Sequence, residues 1–215
     1  MSIKSDFDEI LKSFGKVGPL SKLLMLLTIF LSVSSITSLA DKIFEWKGFI
    51  LNALTTYRDY FVNPITSLAY SIGLKYSPNE IHAAVLGSIS ISIGMRLLAA
   101  GQLVAFNKIN EKYNSDVKPN LTFYWVAGIL CPIGIWLWHG LSSREPNLSL
   151  SIFALLTYPL IIITTKIVMD KFFFKDGYLE KGRFSYLRSY YSYVTLVLII
   201  VGILGAFNTG ITRTT

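Results

Sequence analysis

Arg96 carries the clearest chemical demand in this chain. It lies between two apolar stretches, Ile81 to Met95 and Leu97 to Phe106, and neither contains an acid. At about 1.5 Å per helical residue the two together exceed the ~30 Å hydrocarbon core of a bilayer, which puts Arg96 near its middle. A guanidinium there costs about 2.5–3.5 kcal/mol on insertion scales, so it needs a polar cavity, a partner or a route to the headgroups. Ala84, Ser88, Ser92, Arg96 and Ala100 recur every fourth residue and form one helical row, in which two hydroxyls approach the guanidinium. Gln102 is the next polar side chain beyond it. Arg96, Ser88, Ser92 and Gln102 are therefore the candidates for an intramembrane polar path.

Two roles compete for Arg96. In the structural one, backbone carbonyls freed at Pro132 or Pro159, the Gln102 amide, or hydroxyls such as Ser32, Ser34, Ser35, Thr37, Thr157, Thr164 and Thr165 satisfy it. In the functional one it lines a pathway or binds an anion, and in a cyclic oligomer it becomes a ring of positive charge. The structural role is preferred.

The elements that must position these residues are membrane helices. The chain has 215 residues, 52% of them hydrophobic and only 15% charged, with a mean hydropathy of +0.51. Soluble domains carry roughly a quarter charged residues, so this composition predicts an all-α polytopic membrane bundle forming a single integral domain over 1–215. Five stretches have the length and apolarity of spans: about Leu23 to Ala40, Ile81 to Phe106, Leu121 to Leu141, Leu148 to Lys166 and Tyr190 to Phe207. The count falls to four if the first is peripheral or cleaved. Its Ser38-Leu39-Ala40 ending resembles a signal-peptide site, but 22 preceding residues make a long n-region, and an uncleaved span is expected.

Basic residues set the orientation. With a cytoplasmic N-terminus, 13 lysines and arginines fall inside and six outside, so the N-terminus is expected in the cytoplasm and the C-terminus outside. The same rule absorbs the net charge of +7, and no nucleic-acid partner is expected. The bacterial inner membrane is the expected location.

Two amphipathic helices are predicted along the membrane surfaces. Residues 1–19 place Ile3, Phe7, Ile10, Leu11, Phe14 and Val17 at helical spacing, as a cytoplasmic interfacial helix. Residues 41–63 place Ile43, Trp46, Ile50, Leu54, Tyr57 and Phe61 in a stripe, as an outer interfacial helix closed by Pro64. The short apolar piece Ile65 to Leu74 after it is expected as a surface loop, with a re-entrant dip as the alternative.

The start of the Arg96 helix is well marked. Ser77 is placed to cap it, Pro78 suits its first position and Glu80 can complete a capping box. Gly87, Ser90 and Gly94 form a second row of small residues, the predicted helix-packing face, through which oligomerisation is expected.

The remaining candidates lie near the interfaces. The loop 167–189 combines aromatic residues with Lys171, Lys175, Lys181, Arg183 and Arg188, suited to anionic lipid or to docking a cytoplasmic protein. His82 and His139 both fall at the outer side, where a pH-sensitive pair is conceivable if their helices adjoin. No HExxH, GxSxG or phosphate-loop motif occurs, and the acids lie in loops or surface helices, so no catalytic, metal or cofactor site is predicted. One cysteine, Cys131, excludes an intramolecular disulfide.

The leading expectation is a non-enzymatic, oligomeric inner-membrane protein that acts as a pore or as a membrane-embedded sensor or scaffold. The alternative is a partner-dependent subunit recruiting a cytoplasmic protein, as in a bacterial stress or defence system. A lipid-modifying enzyme is third.

Overall fold

The computed structural model describes residues 18–142, 144–173 and 186–213. Their regular elements are all helical. In chain order these are α1 (Pro19–Leu39), α2 (Gly48–Tyr57), α3 (Asn63–Ser71), α4 (Pro78–Tyr113), α5 (Thr122–Leu141), α6 (Leu148–Phe173) and α7 (Tyr186–Arg213). Four carry apolar windows long enough to cross a bilayer: Pro19–Leu39, Pro78–Leu103, Thr122–Leu141 and Leu187–Gly210. This is an integral membrane protein. The fifth expected span forms within α6, whose described apolar part, Leu148–Thr164, is shorter.

The 36-residue α4 is the central helix, touching α1, α5, α6 and α7. Its beginning follows the expected chemistry. The Ser77 hydroxyl accepts from the Glu80 N–H at 3.3 Å, the Glu80 carboxylate accepts from the Ser77 N–H at 2.7 Å, and Pro78 takes the first turn. Asn114, in the left-handed conformation at φ 47°, ends the helix.

Burial is uneven along α1. Ser32 to Leu39 are all buried, whereas Leu20, Leu23, Leu24, Leu26 and Leu27 of its first half point outward. On α5 the outward residues include Trp125, Val126, Ile129, Leu130, Ile133 and Leu137. Such apolar surface would be a liability in water and is ordinary against hydrocarbon. Inside, Val33, Ile36, Leu86, Leu155 and Val197 join four helices in one cluster, and Ile91, Met95, Tyr124 and Ile162 join three in another.

The segment after α1 departs from the predicted helix over 41–63. Residues 40–43 form a turn and 44–47 have no regular structure, so helix begins only at Gly48. Pro64 does not close it. The chain widens into a π-helical turn over Arg58–Val62, where the Asn63 N–H bonds the Arg58 carbonyl, and continues as α3 to Ser71. A proline cannot donate to the ladder and crowds the carbonyl four residues back. Widening the preceding turn relieves both defects and lets the helix pass through. Ile65 to Ser71 is therefore helical rather than loop. The expected 1–19 helix lies outside the described residues except for its last two positions, and Pro19 belongs to α1.

Candidate functional site

The Ser88–Ser92–Arg96 row opens onto a recess between α1 and α4 of about 240 Å³, lined by Thr28, Ser88, Ile89, Ser92, Ile93 and Arg96. Arg96 is exposed there. Among the described residues it forms no hydrogen bond or ion pair, and neither Pro132 nor Pro159 lines the recess. Ser92, one turn away, also lacks a hydrogen-bond partner among the described residues. Ser88 accepts the Trp136 indole N–H at 2.9 Å, and the Thr28 hydroxyl donates to the Leu24 carbonyl at 2.7 Å. Gln102, half-buried, is not part of the recess.

The small-residue row is spent inside the chain. A Cβ on Gly87 would stand 3.2 Å from the Ile135 side chain of α5. Ser90 is buried with its hydroxyl donating to the Leu86 carbonyl at 2.8 Å, and Gly94 is buried. Gly87 therefore packs against α5 inside the bundle, and Ser90 and Gly94 are covered within the chain.

The depth of Arg96 also differs from expectation. Gly87 stands against Ile135, Ser88 meets Trp136 and Gly128 stands against Met95, which fixes the antiparallel register of α4 and α5. Arg96 is then level with about Ala127, five residues inside the start of α5, or roughly 7 Å along the axis. On α7 the level is confirmed by Tyr190, close to that helix's beginning, which packs with Ile93, Leu97 and Leu98. The guanidinium thus lies off centre, in the half of the apolar stretch nearer the start of α5, about midway between the middle of that helix and its end. The middle of α4 misleads because α4 runs past its shorter neighbours at that end.

At the opposite end lies a polar seam that sequence reasoning did not assemble. Ser35 Oγ and the Tyr57 hydroxyl are 3.0 Å apart, and the same hydroxyl lies 3.2 Å from His82 Nδ1, joining α1, α2 and α4. The Tyr57 and His82 rings lie 5.5 Å apart at 32°, and both side chains are almost wholly buried. Burial raises the Tyr57 phenol above its ordinary value, with the Ser35 bond opposing the shift. Trp46 donates its indole N–H to the Thr37 carbonyl at 3.1 Å. Asn208 of α7 accepts from the Lys47 N–H and donates to the Glu45 carbonyl, both at 2.9 Å.

Outside this seam Arg58 pairs with Asp41. Burial raises the Asp41 carboxyl above the usual range, and the neighbouring guanidinium only partly offsets it. His82 bonds Tyr57, not His139, whose Nδ1 is buried without a hydrogen-bond partner among the described residues. The conceivable His82–His139 pair is not formed by a direct hydrogen bond. Among the described residues no three His, Cys, Asp or Glu side chains gather as a metal site.

Of the basic loop residues, Arg188 is exposed in the first turn of α7. Lys171 lies in α6, and Lys175, Lys181 and Arg183 fall outside the described residues. Comparison with protein-family models, with curated proteins and with solved structures finds no match.

Proposed function

We propose that this protein is a non-enzymatic, membrane-embedded sensor or scaffold of a bacterial inner membrane, with the Arg96 recess as the site that receives an anionic ligand. The observation that carries this reading is an exposed guanidinium, without a protein partner among the described residues, in a recess edged by hydroxyls. A cation left unsatisfied at membrane depth has no structural benefit to offset its insertion cost, whereas an incoming anion supplies the missing partner. The seam at the other end supports the same reading, since it ties α1, α2, α4 and α7 into a body against which a ligand can act.

Orientation follows charge. The segments at the end nearer Arg96, residues 18–22, 107–121 and 187–189, hold five basic and two acidic residues. Residues 40–80 at the other end hold four of each. The Arg96 end is cytoplasmic on this reading, with the N-terminus on the same side.

Thermal unfolding in neutral detergent tests the proposal, with inorganic sulfate, inorganic phosphate, a fatty-acid carboxylate and phosphatidylglycerol added separately. At least one should raise the midpoint of the wild type and leave Arg96→Gln unmoved. If none distinguishes the two proteins, the reading fails.

A pore is the second reading, favoured by the way the hydroxyl row runs along α4 as a groove that further copies could close. It requires chloride efflux from protein-containing vesicles, reduced about tenfold or more in Arg96→Ala, an effect worth roughly 1.4 kcal/mol on the barrier. The sensor or scaffold reading expects background efflux from both proteins.

A further inference from the structure

We propose that the Arg96 recess binds the phosphodiester headgroup of an anionic lipid drawn from the leaflet at the α5 N-terminal end. This rests on the reading of the recess as an anion-receiving site and names the ligand. Depth selects the source. Arg96 lies roughly 7 Å inside the level where α5 begins, and a long side chain spans such a distance by extending toward the headgroups. A phosphate tethered to two acyl chains reaches that level from the headgroup layer while its chains remain in hydrocarbon. A free anion would have to leave water.

The donors suit an oxyanion. The planar guanidinium offers two parallel N–H groups to one phosphate, the geometry in which arginine exceeds lysine. Ser92 contributes a hydroxyl with no partner among the described residues. Ser88 accepts from Trp136, which leaves its own proton to give. Thr28 has already donated its proton to Leu24, so it lines the recess without donating to the anion.

Size and surroundings agree. A volume of about 240 Å³ is below that of sites enclosing whole drug-sized ligands, and suits a phosphate with part of its glycerol. Ile89 and Ile93 give the recess an apolar wall for the first acyl carbons. The antiparallel register of α1 and α4, set by Thr28 beside Ser92 and by the Ser35–Tyr57–His82 chain, brings Lys22 of α1 to the same end. Arg188, in the first turn of α7, is there too. Basic residues near a membrane surface contribute about 1 kcal/mol each toward anionic lipid, so this end concentrates the ligand that the recess selects.

Native mass spectrometry of the full chain in a neutral detergent, titrated with phosphatidylglycerol, phosphatidylcholine or inorganic phosphate, decides the matter. Phosphatidylglycerol should bind about tenfold more tightly than phosphatidylcholine, the effect of one strong charge-assisted contact. Arg96→Gln should erase that preference, Ser92→Ala should weaken it several-fold, and Arg96→Lys should retain part of it. Millimolar inorganic phosphate should not displace the lipid. Equal phosphatidylglycerol binding by wild type and Arg96→Gln overturns the proposal, provided both unfold at the same temperature without lipid. Displacement by inorganic phosphate also overturns it, in favour of a free-anion site. If a sulfate or carboxylate stabilises the protein through Arg96 and phosphatidylglycerol does not, the lipid assignment falls while the anion-receiving site stands.

Discussion

Two polar regions of one bundle use similar side chains to opposite ends. In the seam, hydroxyls from α1 meet a tyrosine and a histidine from two other helices, and Ser35, Tyr57 and His82 share their hydrogen bonds in the dry interior. In the recess, Ser92 and Ser88 stand one and two turns from an arginine, and neither Ser92 nor Arg96 has a partner among the described residues. The difference is in what packs above them. Tyr57 from α2 closes over the seam, whereas α1 leaves only Thr28 at the edge of the recess. A hydroxyl row on a membrane helix is thus a lock where another element covers it and an open polar surface where none does.

The strongest way to break the comparison is at Tyr57, which is 0% exposed. Tyr57→Ala should cost about 3–5 kcal/mol, as for other buried aromatics cut to alanine. Tyr57→Phe keeps the ring and strands Ser35 and His82 without their shared hydroxyl, for about 1–3 kcal/mol. Thermal and denaturant unfolding in detergent measure both. A Tyr57→Phe protein as stable as the wild type would mean that the seam does not lock the helices.

The next effect is steric. A Cβ on Gly140 would lie 2.7 Å from the Tyr76 hydroxyl, which donates to the Trp136 carbonyl. Gly140→Ala must push the Tyr76 ring aside or break that bond, at about 1–3 kcal/mol. Gly87→Ala meets only the flexible end of Ile135 at 3.2 Å and should cost less. If the two glycines prove equally sensitive in the same unfolding assay, the Tyr76–Trp136 contact is not what holds the α5 end in place.

The sequence disclosed local features and hid those that depend on distant partners. Ser77, Pro78 and Glu80 announce the start of α4 because a capping box is contained within four residues. The all-α class was legible from long apolar runs. The seam was not, since Lys47 and Asn208, joined by a hydrogen bond of 2.9 Å, are separated by 161 residues, and a serine run alone does not reveal what covers it. Pro64 was misread as a stop because the relief comes from a widened turn that side-chain spacing does not encode. Arg96 itself was found, but its depth depends on the register of α4 against shorter helices.

A smaller effect comes from the Arg58–Asp41 pair at the seam's rim. Asp41 has a raised pKa in the folded protein, so the unfolded state releases its proton at lower pH. Its contribution favours folding below the ordinary carboxylate pKa of about 3.9 and diminishes as pH rises through the folded value. Asp41→Asn should flatten this part of the stability profile. The pair is more than a third exposed, so screening limits the change to less than about 1 kcal/mol. A profile unchanged by Asp41→Asn would remove Asp41 as the source of the slope.

The smallest expected effect is the most diagnostic. In neutral detergent without anionic lipid, Arg96→Ala should change stability by no more than about 0.5 kcal/mol, because no protein group among the described residues loses a bond. Every replacement at Tyr57 that removes its hydroxyl should cost more. The two sites should change places when phosphatidylglycerol is supplied. The wild type then gains stability through the filled recess and Arg96→Ala does not, while the penalty at Tyr57 stays the same in both media. A loss above about 1 kcal/mol for Arg96→Ala in lipid-free detergent would mean that the arginine already satisfies a protein partner. The recess would then be another lock, and the contrast between the two ends of the bundle would disappear.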